Sequence, residues 1–434
     1  MNLFVVGCIG ILLLLILMAL KVHIGIALAV VGFLGFAYIN GLQSALGLLA
    51  AVPYRTMSSY TFSIVPLFLL MGYFSFQAGI SQDVFASAHK WLARMPGGLA
   101  MATIAGCTGF AAACGSSVAT AATMCTVALP EMRRFKYKDT LATGCIAAGG
   151  TIGIIIPPSI NFVVYGAVTD VSIGKLFASG IFSGILVAIL YIAAIYIVCK
   201  KDPSMGPVGP RSTMREKLVS LKGVWAILAL FFLVMGGIYF GVFTPSEAGA
   251  VGAFGAFIIA LAKRKLTWSG LSKSLLDTGK TTAMIMVIVI GTMLFGYFLT
   301  ITRIPSTIAE TITSMALNRY VVITAVLMLF FILGCIMDTL AIIMLVVPII
   351  FPVIMALGFD PIWFGTMCVL LSCVGLITPP LGLNVYVVKG MTKDMELFTV
   401  FRGIVPFLIA DIVAVILLVF FPDIALYLPR TMLG

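Results

Sequence analysis

The sequence predicts an all-α polytopic membrane protein made of two inverted-topology repeats, each with a re-entrant helical hairpin and a helix broken at a proline pair. Three observations lead there. The 434 residues are 62% hydrophobic and 9% charged, with a mean hydropathy of +1.20, whereas soluble domains carry about 25% charged residues. Two segments apolar enough for membrane helices, GIIIPPSINFVVYG (residues 153–166) and GLITPPLGLNVYVV (residues 375–388), each hold adjacent prolines. Motifs also recur in order across the chain: Gly72-Tyr73-Phe74 returns as Gly296-Tyr297-Phe298, and Pro157-Pro158 as Pro379-Pro380. Between them, GSSVATAATMCTVALP ending at Pro130 matches GCIMDTLAIIMLVVP ending at Pro348.

Taken in order, residues 1–20 lack both a basic start and a small-residue cleavage site, so they are expected to stay as a first membrane helix. Apolar runs near the ~20 residues that hydrocarbon requires follow at 22–39, 62–80, 176–199, 224–241, 251–262, 283–301 and 404–421. Ten to twelve spans are expected, some partial. The hydrophilic stretch at 200–222, KKDPSMGPVGPRSTMREKLVSLK, reads as a linker. It separates a first repeat (1–199, hairpin about 98–130, broken helix about 139–170) from a second (223–434, hairpin about 320–352, broken helix about 362–390).

Charge tests the inversion. The loop after the first hairpin reads EMRRFKYK (131–138), whereas its counterpart at 349–360 has no Lys or Arg, so equivalent loops lie on opposite sides of the membrane. Threaded that way, all but five of the 26 Lys and Arg fall on the cytoplasmic side, the exceptions being Arg55, Lys175, Arg303, Arg319 and Arg430. Basic residues between apolar spans explain the +11 net charge without nucleic acid. Residues 98–130 must then enter from and return to the cytoplasm, and 320–352 must do the same from outside.

A proline pair ends a half-helix and leaves carbonyls without intrahelical donors, a costly defect at membrane depth unless a cation or water faces them. Na⁺ takes oxygen ligands, as hard cations do. One Na⁺ site is therefore expected in each half. The first comprises Gly115, Ser116, Ser117 and Thr120 with Gly153, Ile156 and Pro157, and the second comprises Gly334, Asp338 and Thr339 with Gly375, Thr378 and Pro379. Asn161 and Asn384 start the second half-helices, whose positive ends favour an anionic substrate. They are expected near it together with Ser117, Pro158 and Pro380. Asp338 is an intramembrane carboxylate and so a functional candidate. Asp411 is read as a polar contact with a neighbouring subunit or scaffold helix, and Glu247 as a helix cap.

Other chemistry finds no support. His23 and His89 stand far apart, and neither HExxH nor GxSxG occurs. SLLDTGKT (274–281) has Ser where a phosphate-binding loop needs its first Gly. The nine cysteines form no CxxC and read as inert buried thiols. No cofactor is expected beyond Na⁺ as the coupling ion, and no enzyme activity.

With GSS (115–117), LPEM (129–132), IIPPSINFVVYG (155–166), FTPSEAGAVGA (243–253), MDTLAIIMLVVPIIFP (337–352) and GLITPPLGLNVYV (375–387) in hand, the whole chain resembles the large membrane subunit of tripartite ATP-independent periplasmic (TRAP) transporters, the DctM-like family. Cys114 and Cys335 stand where small or hydroxyl residues are expected. The resemblance implies a bacterial inner-membrane importer of carboxylates such as C4-dicarboxylates, sialic acid or related sugar acids. It implies Na⁺ coupling, a DctP-like periplasmic binding protein and a small four-helix DctQ-like membrane subunit. It further implies an elevator-type transporter like those of the ion transporter superfamily, in which residues 81–95 and 303–319 would be amphipathic arms. Two other readings stand beside it: a binding-protein-independent ion-coupled anion symporter or antiporter of the same fold, and an intramembrane enzyme using Asp338 and Asp411.

Overall fold

The computed structural model describes residues 3–209, 212–315, 318–380, 382–392 and 394–432. Pro210 and Arg211 of the expected linker lie outside the described residues. The first repeat contains α1 (Leu3–Ala19), α2 (Ile24–Asn40), α3 (Leu42–Met57), α4 (Ile64–Gln77), α5 (Ile80–Leu92), α6 (Gly98–Cys114), α7 (Ser117–Arg134), α8 (Asp139–Ile152), α9 (Ile160–Thr169) and α10 (Ile173–Lys201). After the linker, α11 (Met214–Phe231) runs through a π-helical turn (Phe232–Gly236) into α12 (Gly237–Tyr239). Then come α13 (Pro245–Ala262), α14 (Trp268–Thr302), α15 (Ile304–Ser314), α16 (Arg319–Gly334), α17 (Thr339–Ala356), α18 (Pro361–Gly375), α19 (Leu383–Met391), α20 (Leu397–Phe420) and α21 (Asp423–Thr431).

The sequence sets these boundaries through caps and breaks. Thr213 with Glu216, and Thr244 with Glu247 just before Pro245, form reciprocal capping boxes, each satisfying two backbone donors that a helix start leaves free. Glu247 is thus the cap its sequence context suggested. Ser116, Asp338 and Asp360 cap α7, α17 and α18 with side-chain oxygens. The hairpins are α6–α7 and α16–α17, and the broken helices are α8/α9 and α18/α19, with cis peptides at Pro157-Pro158 and Pro379-Pro380.

Among the described residues, seven helices are long and apolar enough to cross a membrane, fewer than the ten to twelve spans expected. The difference lies in the breaks and in short elements. At 17 residues each, α1 and α2 reach about 26 Å at 1.5 Å per residue, short of the ~30 Å hydrocarbon core. The exposed side chains include Leu12, Phe232, Phe254 and Phe420, the apolar outer surface a bilayer covers.

Packing crosses the repeats. Of the first repeat, α4 packs on α13 of the second and α2 on α14; α9 of the first repeat lies on α17 of the second, while α19 lies on α7. The broken helix α8 meets α20 at backbone contact, since a Cβ on Gly144 would stand 2.2 Å from the Gly403 carbonyl oxygen. Only glycine permits that approach. Tyr191 of α10 donates to both Asp411 carboxylate oxygens on α20 (2.7 and 2.8 Å), and its hydroxyl lies 3.3 Å from Thr151 Oγ1 on α8. Asp411 therefore finds its partner on a helix of its own chain.

Candidate functional site

Each hairpin tip touches the break of its own repeat. At the first, α6 ends in Gly115 with φ +61°, in the left-handed region, and a Cβ there would lie 2.6 Å from the Pro158 carbonyl oxygen. The next residue, Ser116, begins α7 by accepting the Ala119 N–H, while Thr120 Oγ1 donates to the Ser116 carbonyl (2.7 Å). A Cβ on Gly153 would meet Thr120 Oγ1 at 2.7 Å, the Ser116 carbonyl at 2.9 Å and the Gly150 carbonyl at 3.0 Å. Three oxygens thus converge on a spot kept open by a missing side chain. Of the carbonyls in this break, that of Ile154 accepts the Ser159 hydroxyl (2.6 Å), whereas those of Gly153, Ile155 and Ile156 receive no donor among the described residues.

At the second tip the backbones touch: a Cβ on Gly375 would lie 2.1 Å from the Gly334 carbonyl carbon, and one on Gly334 would lie 3.2 Å from the Ser372 carbonyl oxygen. Asp338 is exposed and accepts the Leu340 N–H (3.2 Å). Thr339 is 1% exposed, and its Oγ1 has no hydrogen-bond partner among the described residues. The Thr378 hydroxyl donates to the Val374 carbonyl (2.7 Å), and the Leu376 carbonyl accepts the Asn384 N–H (3.1 Å). Among the described residues the second break is therefore more fully satisfied than the first.

The two asparagines differ. Asn384 Nδ2 donates to Ser117 Oγ (2.6 Å) and to the Ala147 carbonyl (3.0 Å), and the Ser117 hydroxyl reaches Asn384 Oδ1 (2.9 Å). Asn161 is 3% exposed, with a buried Oδ1 that has no partner among the described residues. The structure thus brings Gly115, Ser116, Thr120, Gly153 and Pro158 together at one tip and Gly334 and Gly375 at the other, and it joins Ser117 to Asn384. Sequence reasoning did not find Gly150 or Ser372 at these contacts, nor the Ser117–Asn384 pair. A cavity of 810 Å³ lies elsewhere, at the C-terminal end of α9, lined by Arg55, Thr56, Asp170, Ser172, Thr244 and Tyr297 among others.

The model of the tripartite ATP-independent periplasmic transporter DctM component matches residues 11–424. The chain belongs to the DctM family. Among this family's members, the C4-dicarboxylate TRAP transporter large permease protein DctM of Pseudomonas aeruginosa is 39% identical, over 88% of this chain and 89% of its own length. The sialic acid TRAP transporter large permease protein SiaM of Vibrio cholerae is 33% identical, over 87% and 88%. The fold is shared with the YdaH transporter of Alcanivorax borkumensis, described as having an unusual topology, at a TM-score of 0.62 and 13% identity, covering 88% of this chain and 89% of that one. As a DctM-family chain, this is the large permease of a TRAP transporter, a multi-pass protein of the inner membrane.

Proposed function

We propose that this permease imports a carboxylate by Na⁺ coupling, receives it from a DctP-like periplasmic binding protein, and works with a small DctQ-like membrane subunit. The observation that carries the reading is the first tip, where Thr120 Oγ1 and the Ser116 and Gly150 carbonyls converge beside a break that holds unpaired carbonyls of its own. The unpaired carbonyls of that break suit a hard cation and would be a liability without one. At the second tip, the Asp338 carboxylate and the orphaned Thr339 hydroxyl offer a charged and a neutral oxygen. One Na⁺ per tip follows. The cross-repeat contacts of α9 with α17 and α19 with α7 tie both hairpins and both breaks into one body. That body would slide as an elevator, with α5 and α15 as its arms.

The test is uptake of labelled succinate, malate and sialic acid into proteoliposomes holding this chain and its small partner, with binding protein and a Na⁺ gradient each present or withheld. Uptake that needs both supports the proposal. Uptake without binding protein, or driven by protons alone, replaces it with a binding-protein-independent or proton-coupled carrier.

A further inference from the structure

On the cytoplasmic side of the first repeat, two stretches of chain cross between scaffold and sliding body, and they are stitched together. One is the joint at 93–97 between the arm α5 and the hairpin helix α6; the other is the linker that leaves α10 after Lys201. The arm is held to the scaffold: Asp83 pairs with Lys263 at the end of α13, Ser87 Oγ lies 3.2 Å from Ser220 Oγ of α11, and the Trp91 indole donates to the Lys217 carbonyl of α11 (3.2 Å). The far ends of both crossings belong to the body, because α6 is half of the first hairpin and α10 packs on α6, α8, α9, α18 and α20.

The linker is pinned to both sides. Toward the body, the Gly206 carbonyl accepts the Gly97 N–H (3.0 Å) and the Met205 carbonyl accepts the Lys138 N–H (3.1 Å). The Pro207 carbonyl accepts the Tyr137 hydroxyl (3.0 Å), which itself accepts the Leu99 N–H (3.1 Å), and Lys138 Nζ pairs with Asp202 (3.0 Å). Toward the arm, among the described residues, a single hydrogen bond holds it: the Gly209 N–H donates to the Ala93 carbonyl (2.8 Å). Between the last body pin at Pro207 and the arm pin at Gly209 stands only the exposed Val208. Two residues span at most about 7 Å, whereas the four residues of the joint from Ala93 to Gly97 span up to about 14 Å. The linker therefore pulls taut before the joint does. Of its pins, the lone bond at Gly209 is the first to give, since one backbone hydrogen bond adds little net stability. Resting on the elevator reading above, we infer that residues 202–209 form a travel latch: the body-side pins hold throughout, while the Gly209–Ala93 clamp is closed in this conformation and opens when the body slides.

The test locks the clamp shut. A Cβ on Gly209 would stand 3.4 Å from the Ala93 Cβ, close to the about 3.5–4.5 Å of disulfide-bonded cysteines. Ala93→Cys with Gly209→Cys is made in a Cys199→Ala background, because Cys199 Sγ lies beside Gly97 and Gly206. Na⁺-driven uptake is measured in proteoliposomes before oxidation, after it, and after reduction, so that each protein is its own control for folding. A second pair, Gly174→Cys with Ile238→Cys, links the body to the scaffold on the outer face, where a Cβ on Gly174 would meet Ile238 Cγ2 at 3.1 Å. Both cross-links are expected to abolish uptake and to release it on reduction. If the outer cross-link stops uptake while the completely cross-linked clamp does not, the clamp stays shut during transport and the latch is overturned, with the elevator left standing. If neither stops it, the elevator reading itself has failed. Hydrogen exchange tests the unaltered protein: the Gly209 amide is expected to exchange faster during turnover, with the Gly97 and Lys138 amides still protected. Gly209 exchange that turnover leaves unchanged overturns the latch as well.

Discussion

Gly375→Ala drives a side chain into the backbone contact at the second tip. The new Cβ would stand 2.1 Å from the Gly334 carbonyl carbon, 2.3 Å from its Cα and 2.5 Å from its oxygen. All three atoms are backbone, so no side chain can swing aside. Restoring an ordinary contact of ~3.4 Å moves hairpin and break apart by about 1.3 Å, beyond the ~0.5 Å tolerance of a working site. Overpacking of this kind costs about 1–3 kcal/mol, which at 1.4 kcal/mol per tenfold corresponds to about a 5- to 150-fold weaker Na⁺ response. The assay is a Na⁺ titration of uptake, with Gly296→Ala as the matched control, because a Cβ at Gly296 meets nothing within 4 Å. That control is expected to be neutral or to stabilise α14 by up to ~1 kcal/mol. An unchanged Na⁺ half-saturation in a folded Gly375→Ala protein would refute the claim that the tip–break contact builds an ion site.

Further expectations concern the scaffold. Tyr191→Phe removes the donor to both Asp411 oxygens, a loss of about 1.5–3 kcal/mol; thermal melts should rank it well below wild type, with Asp411→Asn less affected. Thr244→Ala breaks the α13 capping box at about 0.5–2 kcal/mol and should lower the melting temperature without altering Na⁺ dependence. Asp394 is held below the usual carboxylate range by its own backbone N–H and then by Arg133, which bonds it at 2.7 Å. Its link to the end of α7 contributes above the ordinary Asp value of ~3.9 and is lost as pH falls through the lower native value. An Arg133→Gln variant should therefore show a flatter melting profile in that acid range.

The broad architecture was legible in the sequence because hydrophobic length, loop charge and proline pairs are local signals with few alternative readings. The pairs at 157–158 and 379–380 located both breaks, and the capping box at Thr244 was readable from spacing alone. The number of spans was less legible, since an apolar run of 17 residues and a buried half-helix look alike until packing is known. The contacts of the site were legible only by repeat. Sequence placed the tip at Gly115 and Thr120 against the break of its own repeat, and in the structure Thr120 lies against Gly153 and Gly115 against Pro158. It did not show that Asn384 would reach Ser117 of the other repeat, because α19 packs on α7 through the tertiary fold.

The most direct measurement is the number of Na⁺ ions moved per carboxylate, read from the reversal potential of uptake in proteoliposomes with binding protein present. One ion per hairpin tip requires a ratio of at least two, with Thr120→Ala and Asp338→Asn each weakening the response. A ratio of zero, with protons driving uptake unaided, would contradict the assignment of both helix breaks as cation sites.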